Sequence, residues 1–143
     1  MNLKIITIGS PKLEFAKIGF GEYLKRLQSF HKIEVNHLKD GITDKDILKE
    51  IDNSFCVILD ENGREFTSRE LAGFLDKKGV QGINNICFVI GGPDGHSEEL
   101  KRRADYTWSF GRLTFPHDLA MVVLVESLYR AGTISAGHPY HRG

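Results

Sequence analysis

The 143-residue sequence predicts a single α/β domain, residues 1–143, with a mostly parallel sheet and helices on both of its faces. Short, β-branched apolar runs alternate along the chain with segments of helical periodicity. Continuously apolar runs are typical of parallel strands that are covered on both sides. The hydrophobic content of 41% and charged content of 27% are ordinary for a globular domain of this length.

The N-terminal half supplies the first predicted strands and helices. Leu3–Gly9 forms a β-branched run, and Lys32–Leu38 alternates in the manner of a strand near a sheet edge. Thr43 is placed to cap a short helix that continues to Ile51, and Phe55–Asp60 is a second continuously apolar strand. A helix between the first two strands is indicated by five residues that share one helical face: Phe20, Tyr23, Leu24, Leu27 and Phe30.

The C-terminal half continues the alternation. Thr67 and Glu70 have the spacing of a capping box, and Gly79 is placed to end the helix that follows them. Pro116 is expected in the first turn of a last helix that runs to about Ser135. Between these two helices we predict a strand, a helix and a strand: Asn85–Gly92, Ser97–Ala104 and Tyr106–Phe110.

The last predicted helix is unusually apolar. Leu119–Tyr129 is apolar on nearly all faces over its first turns, whereas a surface helix shows one apolar stripe. Because a domain this small has difficulty surrounding a helix, we expect a partner subunit to cover its outer face. A twofold homodimer is the commonest such arrangement.

Composition excludes several classes of protein. The formal net charge is zero, which argues against a protein that grips nucleic acid mainly through phosphates. No apolar run approaches the roughly 20 residues that span a bilayer, and the N-terminus does not resemble a signal peptide. We therefore expect a cytoplasmic protein without a membrane partner. Cys56 and Cys87 lie within apolar runs, which favours two small buried hydrophobes over a disulfide or a metal pair.

Three glycine-bearing segments follow predicted strands: "DENG", "GGPDGH" and "GRLTFPH". Ligands of such sheets bind beyond the carboxyl ends of the strands, so these segments predict a pocket at one sheet edge. "GGPDGH" is neither a P-loop nor a dinucleotide fingerprint. It is either a binding loop, whose glycines let a ligand approach the backbone, or a simple turn.

Other polar groups leave alternatives open. His117, His138 and His141 would suit a metal-dependent hydrolase, but no carboxylate or cysteine constellation accompanies them, and we assign no metal ligand. The basic cluster at 101–103 is either a solvated helix face or an RNA-facing patch. The terminal "GHPYHRG" is either a frayed tail or a functional segment.

Three motifs in order, "IGGPDG", "TFPHDLAMVVLVESLYRA" and the terminal "HPYHRG", resemble the small SPOUT-class methyltransferases of the large-subunit methyltransferase H type. The resemblance covers the whole chain and is most specific from about Phe88 onward. It implies a C-terminal trefoil knot, S-adenosyl-L-methionine as cofactor, a homodimer, and methylation of N3 of a pseudouridine in 23S ribosomal RNA. It also implies that the partner is RNA within the large subunit or the whole ribosome, and that DNA is not a partner. The alternative is a non-catalytic ribosome-binding or assembly factor with the same fold.

The resemblance also assigns residues to roles. As catalytic candidates it implies His138, Tyr140, His141 and Arg142 of the tail, with His117 a weaker candidate. We expect the tail near the cofactor loops, because it follows a helix that begins at one of them. Asp60, Glu61 and Asp94 are not assigned as contacts. The implied cofactor contacts are Leu59, Gly91, Phe110, Gly111, Arg112, Leu113, Thr114 and Phe115.

Overall fold

Five strands and five helices alternate along the chain in the computed structural model, which describes residues 1–143. All strand pairs are parallel, and the sheet order is β2-β1-β4-β3-β5. The elements are β1 Asn2–Ile8, α1 Glu14–Leu27, β2 Lys32–Leu38, α2 Asp44–Ile51, β3 Phe55–Glu65, α3 Ser68–Val80, β4 Asn85–Ile90, α4 Glu98–Arg103, β5 Tyr106–Ser109 and α5 His117–Ser135. The predicted α/β class with a parallel sheet is confirmed, and β2 lies at an edge as expected.

Both faces of the sheet are buried, because alternate side chains of each strand point to opposite layers of helices. Ile5 and Phe88 pack with α1, α3 and α5 on one face. Ile6 and Val89 pack with α2 and α4 on the other. Cys56 and Cys87 lie in this second layer as buried free thiols on neighbouring strands, which confirms them as small core residues.

The two N-caps predicted at Thr43 and Thr67 form as expected. The Thr43 hydroxyl accepts a hydrogen bond from the Asp46 amide at 3.3 Å. Thr67 and Glu70 form a reciprocal capping box, with bonds of 2.8 and 3.0 Å. The Ser97 hydroxyl caps α4. Each cap satisfies an amide that the first helical turn leaves without a partner.

Several element boundaries differ from the sequence prediction. Helix α3 does not end at Gly79 but continues to Val80, and Gly82, with a φ of +82°, follows it. "DENG" is not a loop after β3 but an irregular part of that strand, whose register against β5 shifts between Leu59 and Arg64. A Cβ atom on Gly63 would lie 2.6 Å from the Thr107 carbonyl oxygen, so the close approach of the two strands requires glycine there. Pro116 precedes α5 as its N-cap, one position before the predicted first turn.

Helix α5 packs between α1 and α3 and is largely covered by its own chain. Met121, Leu124 and Leu128 are fully buried, whereas Val122 and Val123 are half-buried. The remaining outer face is therefore smaller than the sequence pattern indicates, and the predicted homodimer stays a prediction. The C-terminal knot also stays a prediction. None of the helices has the length and apolarity to cross a membrane.

Candidate functional site

A cavity of about 620 Å³ opens at the sheet edge where the carboxyl ends of β3, β4 and β5 lie side by side. Its volume is in the range of small-molecule sites. The segments after all three strands contribute to its walls. Seven of the eight predicted cofactor residues line it: Leu59, Gly91, Phe110, Gly111, Leu113, Thr114 and Phe115. The eighth, Arg112, is exposed and lies outside the lining.

One wall of the cavity is aromatic and aliphatic. Trp108 and Phe110 pack edge to face with their ring centroids 4.9 Å apart, and Phe110 meets Phe115 at 5.9 Å. Trp108 is buried, whereas Leu113 at the rim is 75% exposed. A mostly buried aromatic wall with an exposed apolar rim suits a flat, largely apolar ring.

The other wall is polar and mainly acidic. Asp60, Glu61 and Asp94 line the cavity together with Lys101. The Thr114 hydroxyl donates to the Glu61 carboxylate at 3.2 Å and so joins the segment after β5 to β3. The sequence predicts the loops that hold these carboxylates but gives the carboxylates no role in binding. Three carboxylates beside one ammonium favour a ligand that carries positive charge.

The loop after β4 closes on itself. The Gly95 amide donates to the Gly92 carbonyl at 3.0 Å, and Gly95 has a φ of +74°. A Cβ atom on Gly91 would lie 3.1 Å from the Gly95 carbonyl oxygen and 3.2 Å from Cε1 of His96. The tight packing of its own loop therefore favours glycine at position 91, in addition to the approach of a ligand that the sequence suggests.

The first turn of α5 lies at the same cavity. His117 lines it, and its Nε2 atom is buried without a hydrogen-bond partner. Burial lowers the pKa of His117. Next to it, the Asp118 carboxylate accepts the backbone amides of Leu13 at 2.6 Å and Lys12 at 2.9 Å, and these bonds lower the pKa of Asp118. The loop after β1 is thereby fastened to the start of α5.

The C-terminal tail, residues 136–143, lies away from the cavity of its own chain. At the rise of an α-helix, Arg130 lies about 20 Å along α5 from His117. Tyr140 packs edge to face on Tyr129 at 4.8 Å, and the Arg130 guanidinium lies 4.8 Å from the centre of the Tyr140 ring. The expectation that connectivity keeps the tail near the cofactor loops is wrong, because α5 carries the chain away from them.

The tail is nevertheless ordered. The His138 amide donates to the Thr133 carbonyl at 2.8 Å, and Arg130 donates to Nδ1 of His141 at 3.1 Å. Arg69 donates to the carbonyl of Gly143 at 3.0 Å. These contacts hold the terminus against the body of the protein and favour a structured segment over a frayed tail. They bring His138, Tyr140 and His141 together beside the exposed Arg142, but not to the cavity of the same chain.

The chemical state of Tyr140 follows from its surroundings. Burial, and a hydrogen bond with the Tyr23 hydroxyl at 3.4 Å, raise the pKa of Tyr140 to about 12. Its phenol stays protonated near neutral pH and cannot serve there as a proton acceptor. One face of its ring is already covered by Arg130.

The geometry bears on two further alternatives from the sequence, the metal-dependent hydrolase and the RNA-facing basic patch. No group of three or more histidine, cysteine, aspartate or glutamate side chains is placed to share an ion, so the hydrolase hypothesis has no ligand set. Within the basic cluster, Arg103 donates to the carbonyls of Asp52 and Ser54 at 2.9 and 2.8 Å and pairs with Asp105. Arg103 therefore stabilises the fold and is not free to contact RNA.

The chain has relatives in sequence and in structure. It is 48% identical over 145 residues to a Deinococcus deserti protein named "Ribosomal RNA large subunit methyltransferase H", covering 99% of this chain and 100% of that one. A Clostridium botulinum protein of the same name is 40% identical over 159 residues, again covering 99% and 100%.

Solved structures share the fold at low identity. A probable methylase family protein from Haemophilus influenzae superposes with a TM-score of 0.59 at 12% identity, covering 99% of this chain and 70% of that one. The SpoU methyltransferase AviRb from Streptomyces viridochromogenes, in complex with the cofactor AdoMet, superposes with a TM-score of 0.51 at 11% identity. The match covers 96% of this chain and 61% of that one. A family model described as "Predicted SPOUT methyltransferase" matches residues 1–141. Since this match spans nearly the whole chain and agrees with the full-length relatives, the chain belongs to the SPOUT methyltransferase family.

Proposed function

We propose that the protein transfers a methyl group from S-adenosyl-L-methionine to N3 of a pseudouridine in 23S ribosomal RNA, on the assembled large subunit or ribosome in the cytoplasm. The observation that carries the proposal is the cavity of about 620 Å³ that three strand ends build around seven of the expected cofactor residues. The names of full-length relatives support the choice of ribosomal RNA as substrate. The neutral net charge favours a shaped ribosomal site over free RNA, because phosphate affinity alone would require a basic protein.

The chemistry of the two walls fits this cofactor. Adenine is flat and largely apolar, and the wall of Leu59, Trp108 and Phe115 offers it matching surface. The carboxylates of Asp60 and Asp94 can offset the positive charge of a sulfonium or ammonium group. When bound, S-adenosyl-L-methionine supplies a methyl group that its sulfonium already activates. The protein's task is then to hold the RNA nitrogen in line with that methyl group.

The position of the tail supports a homodimer in which two copies share each site. Within one chain the tail lies about 20 Å along α5 from His117 and cannot reach the cavity. Leu13, Phe15 and Ile18 remain 55%, 56% and 63% exposed on the start of α1, beside the loop that Asp118 fastens to the cavity. An apolar patch of this kind marks an interaction surface. We propose that a second copy docks there with its own tail at the rim of the cavity.

The proton on N3 must leave during transfer. Tyr140 holds its own proton at neutral pH, so we assign it to packing and hydrogen bonding rather than to proton removal. His138 and His141 of the second copy's tail are the proposed proton acceptors. Each must first release the hydrogen bond that its Nδ1 atom accepts within the tail, from the Tyr140 amide and from Arg130 respectively. His117, from the cavity itself, is the other imidazole within the composite site. The guanidinium of Arg142 is suited to a phosphate or to the anion that forms on the base.

Two measurements on the purified protein test the proposal. Calorimetry with S-adenosyl-L-methionine should show saturable binding, and labelled methyl should pass to 23S RNA when ribosomes are added. Binding without transfer to any form of the RNA would contradict the assigned reaction. Absence of saturable binding would favour the alternative, a ribosome-binding or assembly factor that keeps the fold.

A further inference from the structure

A single loop separates two cavities in this structure. Residues 91–96 line the cofactor cavity on one side. On the other side they line a second cavity of about 580 Å³ at the ends of β1 and β4, together with Ile8, Asp40 and Ile42. A shift of this one segment would therefore change the shape of the cofactor cavity directly.

The loop has few ties to the rest of the protein. Pro93, Asp94 and Gly95 are exposed, and the bond from the Gly95 amide to the Gly92 carbonyl stays within the loop. The next residue, Ser97, caps α4. Within residues 91–96, one hydrogen bond reaches the rest of the protein. It runs from Nε2 of His96 to the carbonyl oxygen of Leu59, at 2.9 Å.

The protonation of His96 follows from that bond. A carbonyl oxygen can only accept, so Nε2 carries the proton and Nδ1 does not. Nδ1 is buried and has no partner, and burial lowers the pKa of His96 while the charges of Asp60 and Lys101 act in opposite directions. The imidazole therefore stays neutral near neutral pH and keeps its donor on Leu59.

The imidazole also fits a space that glycine leaves open. Cε1 of His96 lies 3.2 Å from where a Cβ atom on Gly91 would be. The ring of His96, the last residue of the loop, thus lies over Gly91, the first residue of the loop, and reaches the carbonyl of Leu59 in β3. Leu59, the residue to which it bonds, is itself part of the cofactor wall.

We propose that His96 is a positioning residue, whose imidazole fastens the loop 91–96 to Leu59 and so sets the shape of the cofactor cavity. If the hydrogen bond from His96 to Leu59 holds the loop, a side chain of similar volume without a donor at the position of Nε2 should let the loop open more often. The consequence for S-adenosyl-L-methionine affinity rests on the proposed function, whereas the fastening of the loop does not.

The test compares two variants of similar size in the unliganded protein. His96→Leu fills the space without a donor, and His96→Gln places an amide donor near the position of Nε2. Amide hydrogen exchange across residues 91–97 should be about fivefold faster in the leucine variant, the factor expected for one lost hydrogen bond, and near wild type in the glutamine variant. Thermal unfolding checks that both variants are folded.

A second readout measures the cofactor. Calorimetry should show S-adenosyl-L-methionine binding about fivefold weaker to His96→Leu and near wild type for His96→Gln. Equal rates of amide exchange in the leucine variant and the wild type would overturn the proposal. Equally faster exchange in the leucine and glutamine variants would also overturn it, because the hydrogen bond would then not be what holds the loop. Should the wild type bind no cofactor, the proposed function fails, while the exchange measurement still decides the role of His96.

Discussion

Alanine in place of Gly91 should weaken cofactor binding without unfolding the protein. The new Cβ atom would lie 3.1 Å from the Gly95 carbonyl oxygen and 3.2 Å from Cε1 of His96. Both distances are shorter than ordinary van der Waals contact, so the loop must move. The loop can move because its exposed tip has no hydrogen bond to the body.

The size of the effect follows from that geometry. Overpacking of this kind costs about 1–3 kcal/mol, and a loop that can yield should show the lower part of that range. Binding must reverse the displacement, so the strain appears in the affinity, as roughly 5–30-fold weaker binding of S-adenosyl-L-methionine. Valine adds two further carbon atoms and should abolish binding while the protein stays folded.

The neighbouring glycine supplies the matched control. A Cβ atom on Gly92 would lie 3.5 Å from Cγ2 of Ile8, an ordinary contact on the side of the second cavity. Calorimetry should therefore show a much smaller loss for Gly92→Ala than for Gly91→Ala. Wild-type affinity in a folded Gly91→Ala or Gly91→Val protein, or equal losses for both alanine variants, would refute the reasoning.

Three further changes test other parts of the account. Deletion of residues 138–143 should leave a protein that binds S-adenosyl-L-methionine in calorimetry but no longer methylates ribosomes. Methyl transfer at the wild-type rate would show that the tail is not part of the site. Loss of cofactor affinity would show that the tail belongs to the cofactor pocket. Leu124→Glu should prevent folding, because an unpaired carboxylate at a fully buried position costs several kcal/mol, whereas Val123→Glu on the half-buried face should fold and weaken the dimer. Light scattering and circular dichroism measure both outcomes, and two soluble dimers would show that this helix face is not at the interface. Urea unfolding should show that the free energy of unfolding decreases as the pH falls below about 6.5. The reason is that histidines in the unfolded chain then bind protons, whereas the same histidines in the folded protein, whose pKa is lowered, do not. A constant free energy of unfolding between about pH 7.5 and 5.5 would contradict this. The histidines concerned are His31, His37, His96 and His117.

Local sequence signals predict much of this fold correctly. The N-caps at Thr43 and Thr67 each depend on a residue three positions further along the chain, so the sequence alone identifies them. The parallel sheet follows from the apolar strands, and the common edge of the loops follows from parallelism. These two inferences together locate the cavity, although they do not give the order of the strands.

Features set by long-range packing could not be predicted. The extension of β3 through "DENG" has no apolar pattern and depends on the close approach of Gly63 to Thr107. The tail is held by Tyr140 against Tyr23 and Tyr129, residues that come together only in the folded chain. The bond from His96 to Leu59 joins positions that are 37 residues apart, and no spacing rule indicates it.

Analysis of ribosomal RNA nucleosides tests the central claim most directly. Mass spectrometry of digested 23S RNA should detect a singly methylated pseudouridine in cells that contain this protein. The same nucleoside should be missing from cells without the gene and should return when purified protein and S-adenosyl-L-methionine are added to their ribosomes. An identical nucleoside profile in the two strains would contradict the proposed methyl transfer to 23S RNA.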